Sequence, residues 1–340
     1  MSSSLPMPAA EFRTRPLGAA DLDAVAATDA AATGQPRRRY LERRLAQAKR
    51  FPELHAQFAV EDRGALAGFV LGRLLEGEFG GIEPAVRLED IGVRQDARGR
   101  GAGRALLGAL EAWARRRKVA TLRTTALWTQ TEILRFLGAN GWQLGRPLVL
   151  DCGLGAGEFG GARERPVATT DDERAGDAND YGARPANDFD ALARDVTGVR
   201  ALAEADFEGV ARIDRRLTGR DRSGFLRHAF AEALAESGIR ISLAAEVDGS
   251  LAGFVMARVD LGDFGRPAPV AILDTLGVDP MRQTHGIGHA LLSQLFANLT
   301  ALRVERVETV VALGDIGLLE FFVHAGFGPS GRLAFVKPLA

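Results

Sequence analysis

Cysteine is almost absent from this sequence, since Cys152 is the only one in 340 residues. A single cysteine excludes an intramolecular disulfide and a zinc site built from several cysteines, and it agrees with a reducing compartment. No apolar run approaches the roughly eighteen residues that a membrane span needs. Residues 1–10 lack the basic cluster and apolar run of a secretory signal. We therefore expect a cytoplasmic protein without a metal site or a membrane partner.

The sequence also lacks an excess of charge of either sign. Its 43 basic and 44 acidic residues give a formal net charge of −1. The molecule as a whole therefore produces no broad positive field that would attract nucleic acid. Two basic clusters, at 37–44 and 115–118, fall in predicted helices, where solvated cations are common. We expect no nucleic acid as a partner.

The sequence does contain a long internal repeat. Gly64-Ala-Leu-Ala-Gly-Phe-Val70 returns as Gly249-Ser-Leu-Ala-Gly-Phe-Val255, and the same offset of 185 residues relates the two halves without gaps. Between the copies, hydrophobic periodicity disappears and Gly, Ala, Asp and Arg dominate, which is typical of a linker. We predict domains at 11–152 and 197–340, joined by a flexible linker at 153–196. Such a linker allows the two domains to dock on each other or to stay apart.

Hydrophobic periodicity predicts an α/β fold in each copy, with elements in the order β-α-α-β-β-β-α-β-α-β. In the first copy, one helix presents Leu106, Leu107, Leu110 and Trp113 on a single face. Residues 147–152 are predicted to form the last strand of the first domain, and a strand around Phe335 the last strand of the second.

A glycine-rich loop joins a strand to a helix in both copies. It reads Arg98-Gly-Arg-Gly-Ala-Gly103 in the first copy and Gln283-Thr-His-Gly-Ile-Gly288 in the second. Such a loop lets backbone N–H groups turn toward an anion, and the helix N-terminus adds about half a positive charge. The Gly-Lys-Ser/Thr of a P-loop is missing, and the loop does not lie in a first βαβ unit as a dinucleotide fingerprint does. We interpret both loops as diphosphate cradles.

These segments resemble the acetyl-CoA signature Arg/Gln-x-x-Gly-x-Gly/Ala of the GCN5-related N-acetyltransferase (GNAT) family. The matching residues are Arg98, Gly101 and Gly103 in the first copy and Gln283, Gly286 and Gly288 in the second. The resemblance covers nearly the whole chain outside the linker. It implies two tandem GNAT domains of α+β type, each with a central mixed, mostly antiparallel sheet flanked by helices.

The resemblance implies acetyl-CoA as the cosubstrate. The loop residues would surround its pyrophosphate: Arg98, Gly99, Arg100, Gly101, Ala102, Gly103 and Arg104, or Gln283, Thr284, His285, Gly286, Ile287, Gly288 and His289. The pantetheine arm would pair like an added strand, in a groove between splayed strands, with the backbone of Ile91 and Val93, or of Leu276 and Val278. Gln130 and Asp315 match a position where the family often has an asparagine that contacts the cofactor.

The reaction implied by the resemblance is direct attack of a neutral amine on the thioester. It needs a base for the ammonium proton and a donor for the oxyanion, for which the backbone amide of Val93 or Val278 is suitable. Glu89 and Asp274 are our candidate bases. Side chains alternate between the two faces of a strand, so Glu89 should share a face with Ile91 and Val93, and Asp274 with Leu276 and Val278. The alternative is that they are strand carboxylates paired with an arginine. Asp90 is a weaker candidate because Thr275 is its counterpart.

One departure from the family pattern leaves two functions open. Many members have a tyrosine, taken as the general acid, where this sequence has Leu137 and Phe322. The chain is then either an N-acetyltransferase for a primary amine of a small molecule or peptide, or a non-catalytic acetyl-CoA sensor or scaffold. Glu78 and Asp263 are candidates to recognise a cationic acceptor, although solvated turn residues fit equally well.

The two loops differ in charge. Arginine occupies four positions around the first loop, where the second loop has one aspartate, one glutamine and two histidines. Because arginine is always charged and histidine mostly uncharged near neutral pH, we expect the first copy to bind coenzyme A more tightly. The positions are Arg94, Arg98, Arg100 and Arg104, against Asp279, Gln283, His285 and His289.

Overall fold

The computed structural model describes residues 12–78, 83–154, 197–235, 240–260, 270–283 and 286–339. These residues form two compact units, which we call the first and second unit. The first contains described residues up to Leu148 and from Gly331 onward, and the second contains those from Val149 to Ser330. Nearly all of the predicted linker lies outside the described residues. Within the described ranges, no helix is long and apolar enough to cross a membrane.

The first unit is a seven-stranded sheet with helices on both faces. Strand order is β1-β2-β3-β4-β5-β14-β6, and only β4 and β5 run parallel. Its elements are β1 (Arg13–Pro16), α1 (Leu22–Thr33), α2 (Arg38–Arg50), β2 (His55–Asp62), β3 (Ala65–Leu75), β4 (Ala85–Val93), α3 (Ala102–Arg116), β5 (Thr121–Leu127), α4 (Thr131–Ala139), β6 (Gln143–Leu144) and β14 (Arg332–Pro338).

The second unit repeats this architecture, with strand order β13-β7-β12-β11-β10-β9-β8. Here β11 and β12 are the parallel pair. Its elements are β7 (Leu148–Gly153), β8 (Gly198–Ala201), α5 (Phe207–Thr218), α6 (Ser223–Ala235), β9 (Arg240–Val247), β10 (Ser250–Asp260), β11 (Val270–Val278), α7 (Ile287–Ala301), β12 (Arg306–Val311), α8 (Ile316–His324) and β13 (Gly328–Pro329).

Alternation along β3 separates two cores in the first unit. Val70 packs with the apolar face of α3, which includes the predicted residues Leu106, Leu107, Leu110 and Trp113. Its neighbours Phe69 and Leu71 pack on the opposite face with Val25 of α1 and with Tyr40 and Leu41 of α2. Successive strand residues point to opposite faces, so α3 covers one side of the sheet while α1 and α2 cover the other.

The last strand of each copy lies in the sheet of the other copy. β7 is the end of the first repeat, yet it lies between β13 and β12 of the second sheet. β14 is its counterpart 185 residues later, and it runs antiparallel to β5 of the first sheet from Arg332↔Leu127 to Pro338↔Thr121. The structure thus differs from the expectation that each copy ends with a strand of its own. Because repeated strands can each complete either sheet, the sequence pattern does not distinguish the two arrangements.

We predict that Phe335→Ala in β14 destabilises the first unit and not the second. Phe335 is 9% exposed and belongs to the core cluster around α3. Truncating such a buried side chain lowers the free energy of unfolding by about 3 kcal/mol. Hydrogen exchange should therefore rise in β5, the neighbour of β14.

The matched control is Leu150→Ala in β7, where the side chain is 2% exposed. That variant should raise exchange in β12 of the second unit. If Phe335→Ala raised hydrogen exchange in β12 and left β5 protected, the placement of β14 in the first sheet and of β7 in the second would be contradicted.

Candidate functional site

The parallel strands β4 and β5 form a fork in the centre of the first sheet. Their ladder consists of two residue pairs, Val86↔Leu122 and Arg87↔Arg123. Just beyond it, the Thr124 hydroxyl donates to the Leu88 carbonyl at 2.8 Å, so a side chain takes over from the ladder. β4 continues to Val93. The backbone edge of this last part of β4 faces the open side of the fork.

The register with β3 shows which amides of β4 face the fork. The Arg94 N–H donates to the Ala67 carbonyl at 2.9 Å, so this opposed pair is a hydrogen-bonded one. Pairs in an antiparallel ladder alternate between those that exchange hydrogen bonds and those whose N–H and C=O groups point away. Since the opposed pairs continue as Gly68↔Val93 and Val70↔Ile91, Ile91 and Val93 direct their backbone groups toward the fork.

The second unit has the same fork at the same positions. The ladder between β11 and β12 ends at Ile272↔Glu308, and the Thr309 hydroxyl then donates to the Leu273 carbonyl at 3.1 Å. The Asp279 N–H donates to the Ala252 carbonyl at 2.8 Å, which repeats the register of the first unit. By the same alternation, Leu276 and Val278 direct their backbone groups toward the fork.

A β-bulge at Glu89 changes the side-chain alternation on which its predicted role depended. Leu71 is opposite Asp90 and Gly72 is opposite Leu88, which leaves Glu89 as the extra residue. A bulge shifts the alternation by one residue. Leu88, Ile91 and Val93 consequently all pack in the α3 core, although Leu88 and Ile91 are three residues apart.

Glu89 instead lies on the face covered by α2, where it forms an ion pair with Arg44. Its side chain is buried, with a residue exposure of 1%. The structure therefore matches the alternative interpretation, a strand carboxylate paired with an arginine, and not the expected position beside the thioester.

Asp274 occupies the equivalent bulge in the second unit. Met256 is opposite Thr275 and Ala257 is opposite Leu273, so Asp274 is again the extra residue. It is 8% exposed and forms an ion pair with Arg258 of β10. Both predicted bases are therefore held by arginine at a bulge.

Next to the first bulge lies a buried cluster of two carboxylates and one arginine. Arg37 contacts Asp29 of α1 through Nε at 3.0 Å and Asp90 of β4 through Nη2 at 2.7 Å. The Asp90 Oδ1 also accepts from the Ile91 N–H at 2.9 Å. Burial raises the pKa of the Asp90 carboxyl to about 6, with Arg37 lowering it and Asp29 raising it further. Asp90 thus titrates closer to neutrality than an ordinary aspartate.

The glycines of the first loop are required by the backbone and leave space above it. Gly99 and Gly101 have positive φ angles of 73° and 100°, which L side chains rarely adopt. A Cβ built on either residue would meet no heavy atom within 4 Å. Gly101 precedes α3, and no side chain of the described residues caps this helix. The amides at the start of α3 therefore face open space, as an anion-binding cradle requires.

The third glycine of each loop has a packing role. A Cβ on Gly103 would lie 2.8 Å from the Phe136 ring of α4 and 3.8 Å from Val93. In the second unit, a Cβ on Gly288 would lie 2.9 Å from Phe321 of α8 and 3.8 Å from Val278. The first turn of the helix after each loop thus lies against the end of β4 or β11, which we call the fork strand of each unit. The glycine loop and the fork are therefore adjacent.

The arginines around the first loop divide into two groups. Arg94 binds Asp96 at 2.8 Å, and Arg100 binds Asp62 at 2.9 Å. Arg98 is 47% exposed, lies 4.0 Å from Glu132, and donates from Nε to the Val93 carbonyl at 3.2 Å. Arg104 is exposed in the first turn of α3. Arg94 and Arg100 are therefore each held in a short ion pair, whereas Arg98 and Arg104 are more exposed.

The second loop has a different electrostatic environment. Asp279 stands where the first unit has Arg94, and its carboxylate contacts Arg216 at 2.9 Å and the Met281 N–H at 3.1 Å. Gly286 keeps the positive φ, at 72°, and precedes α7. His289 lies beside Phe321, with ring centroids 5.4 Å apart. Two predicted cofactor residues, Thr284 and His285, lie outside the described residues.

The remaining predicted positions lie at the two ends of the last helix in each unit. Gln130 and Asp315 are the residues before α4 and α8; Gln130 accepts from the Leu127 N–H, and Asp315 from the Leu318 N–H. Leu137 and Phe322 are fully buried, and their apolar side chains offer no proton donor.

The two candidates for recognising a cationic acceptor lie elsewhere. Glu78 interacts with Arg123, whose pKa is lowered by burial. Asp263 lies outside the described residues. No group of three or more His, Cys, Asp or Glu in the described ranges is arranged to hold a metal ion.

A protein-family comparison matches both copies. The model of the Acetyltransferase (GNAT) family matches residues 22–136 and 207–327. The chain therefore belongs to the GNAT family and contains two GNAT domains in tandem, which confirms the predicted family and fold class. A comparison with curated proteins finds no match.

Solved structures share the tandem fold at low sequence identity. A tandem GNAT protein from the clavulanic acid biosynthesis pathway is 21% identical, over 97% of this chain and 99% of that one, with a TM-score of 0.61. A GCN5-related N-acetyltransferase from Sphaerobacter thermophilus is 17% identical over 96% of each chain, with a TM-score of 0.54. Another, from Kribbella flavida, is 14% identical over 97% of this chain and 72% of its own, with a TM-score of 0.53. These likenesses establish the fold.

Sequence reasoning missed two features that carry a detectable signal. The apolar positions of β4 step by two up to Leu88 and then by three to Ile91, and β11 repeats the step between Leu273 and Leu276. Such a change of period marks a bulge. The fork threonines, one on β5 and one on β12, are also aligned at the repeat offset. Both signals are visible once the copies are compared residue by residue.

We predict that Gly103→Ala destabilises the first unit by about 1–3 kcal/mol, because the added methyl group meets the Phe136 ring at the end of the fork. The control is Gly108→Ala in the same helix, where a Cβ meets nothing within 4 Å. That change should stabilise α3 slightly, since alanine favours a helix over glycine by about 1 kcal/mol. Thermal unfolding of the two variants measures the difference. Equal midpoints would show that the contact between α3 and α4 is not tight.

Proposed function

We propose that the protein is an acetyl-CoA-dependent N-acetyltransferase that transfers the acetyl group to a primary amine of a small molecule or peptide. The observation that carries this proposal is the continuity of fork and cradle, which occurs twice. In each unit, two outward-facing backbone positions on β4 or β11 lead to a glycine loop and then to a helix N-terminus that no side chain of the described residues caps. Membership of the GNAT family supports the same chemistry.

The site fits an extended thioester cofactor along its whole length. We propose that the pantetheine amides bond to the backbone of Ile91 and Val93, or of Leu276 and Val278, as an added strand would. The diphosphate would then reach the amides at the start of α3 or α7, where the helix dipole favours negative charge. The open space above Gly99 and Gly101 is the room that such an anion needs.

Direct attack by a neutral amine needs little from side chains in this site. In our proposal, the outward-facing amide of Val93 or Val278 donates to the oxyanion of the tetrahedral intermediate. Coenzyme A leaves as a thiolate and takes its proton from water or from the substrate, since Leu137 and Phe322 have none to give. Glu89 and Asp274 hold the bulge through their ion pairs, and water removes the ammonium proton in their place.

A second candidate function is a non-catalytic acetyl-CoA sensor or scaffold. It is favoured by the same buried ion pairs and by the apolar side chains at the tyrosine position. Both functions require the cofactor to bind, and only the first requires thiol release when an amine is present.

We expect acetyl-CoA to raise the thermal midpoint, because a ligand at about 100 times its dissociation constant stabilises the folded state by about 2.7 kcal/mol. Incubation with a panel of amines should then release free thiol with at least one class of acceptor. Binding without thiol release from any amine would favour the sensor. Unchanged melting with both acetyl-CoA and coenzyme A would contradict the assignment of the loops.

A reciprocal exchange tests whether the two sites are unequal. Arg98→Gln gives the first loop the residue of the second, and Gln283→Arg does the reverse. Both positions are exposed, so the fold should tolerate either change. We expect Arg98→Gln to weaken the tighter of two coenzyme A binding events about tenfold, because a charge-assisted contact to phosphate is lost.

Gln283→Arg should strengthen the weaker event by a similar factor, and calorimetric titration of both variants measures the two constants. The proposed ranking would be reversed if Arg98→Gln changed only the weaker event.

A further inference from the structure

Asp90 links the buried charge cluster of the first unit to the edge of the fork. Its two carboxylate oxygens have different partners: Oδ2 accepts from Arg37 at 2.7 Å, and Oδ1 accepts from the Ile91 N–H at 2.9 Å. The ladder with β3 directs this amide toward the fork, where the pantetheine arm would need it. Asp90 therefore occupies a donor that the proposed cofactor contact also uses.

The second unit has the same cluster without the second carboxylate. Arg222 binds Asp214 through Nε at 3.0 Å, just as Arg37 binds Asp29. Thr275 stands in place of Asp90, and its hydroxyl lies 3.4 Å from Arg222 Nη2. The following amide, that of Leu276, faces the fork as Ile91 does. The two units thus differ at one ionisable group beside an otherwise equivalent backbone donor.

We propose that Asp90 is a positioning residue that competes with the cofactor for the Ile91 amide, so that its protonation strengthens coenzyme A binding in the first unit. The inference rests on the proposed function, because it assumes that the pantetheine arm pairs with β4. An ionised carboxylate is a stronger acceptor than an amide carbonyl, so ionised Asp90 opposes the cofactor. Protonation weakens this bond and releases the donor.

The charges around Asp90 come from three elements. α1 contributes Asp29, and the residue Arg37 before α2 lies between the two carboxylates. α2 contributes Tyr40, whose ring lies 5.1 Å from the Arg37 guanidinium, and Arg44, which pairs with Glu89 of β4. One arginine therefore serves two aspartates, and a proton on Asp90 removes one of the two negative charges that contact Arg37.

The direction of the pH effect follows from linkage. Burial already raises the pKa of Asp90 to about 6. Cofactor binding that takes away the Ile91 hydrogen bond removes a stabilising contact of the ionised form, so the pKa rises further and a proton is taken up. Affinity in the first unit should therefore increase as pH falls through this range, about tenfold for each unit by which binding raises the pKa.

Hydrogen exchange of the intact protein during a coenzyme A titration reports on the two sites separately, through peptides from β4 and β11. We would compare the wild type with Asp90→Thr, which carries the residue of the second unit, and Asp90→Asn, which keeps the shape without the charge. Thr275→Asp is the reciprocal variant. Titrations at pH 5.5 and pH 8 give a dissociation constant for each strand.

In the wild type, the affinity measured on β4 should rise about five- to tenfold from pH 8 to pH 5.5 relative to Asp90→Thr and Asp90→Asn. Thr275→Asp should give the coenzyme A affinity measured on β11 a similar dependence on pH. Each strand is compared with itself across variants, since the ligand titrates too and the second loop contains histidines. A structural role alone would change stability without changing these slopes.

Equal slopes on β4 in the wild type and both Asp90 variants would overturn the inference while leaving the cofactor site intact. If coenzyme A protected neither strand in any variant, the proposed function itself would fail, and the role of Asp90 with it.

Discussion

The parallel ladder between the two central strands is very short, and the proposed site depends on the place where it ends. In the first unit it lasts for two residue pairs, and in the second for three. A buried carbonyl left by a broken ladder needs another donor. The hydroxyls of Thr124 and Thr309 supply it, which lets the strands separate without an unsatisfied group at the branch point. Beyond this point the two strands of each unit share no further ladder pairs.

The bulge on the fork strand explains why carboxylates occur in the middle of each sheet. It brings Glu89 and Asp274 to the face covered by the first helices of each unit, where arginine neutralises them. Removing one partner of such a buried pair costs about 3–5 kcal/mol, because the remaining charge stays buried. The pairs therefore fix the bulge, and the bulge sets which amides point into the fork.

Much of the fold could be predicted from the sequence because a repeat doubles every signal. The helix that follows the glycine loop, its apolar face and the loop itself are read correctly from periodicity and from glycine spacing. The exchange of β7 and β14 could not be predicted, since the two strands are equivalent by repeat and their partners lie far away in sequence. The predicted direction of the Glu89 side chain was wrong for a local reason, because the prediction assumed strict alternation across a bulge. The spacing of Leu88 and Ile91 already departs from that alternation.

The similarity of the two units makes their differences informative. Both keep the fork, the bulge and the packing of the third glycine against phenylalanine. They differ in the charge of the loop and in the residue before the first fork-facing amide, which is Asp90 in one unit and Thr275 in the other. Conserved geometry with altered electrostatics is the arrangement expected of two sites that bind one cofactor with different strengths.

Residue-resolved amide exchange, measured by NMR with and without coenzyme A, tests the central claim most directly. If the cofactor pairs with the open edge of the fork, protection should increase at Ile91, Val93, Leu276 and Val278. The intervening Gly92 and Gly277, whose amides already face the neighbouring strand, should change little. Uniform protection along both strands, or protection confined to residues away from the fork, would contradict the account.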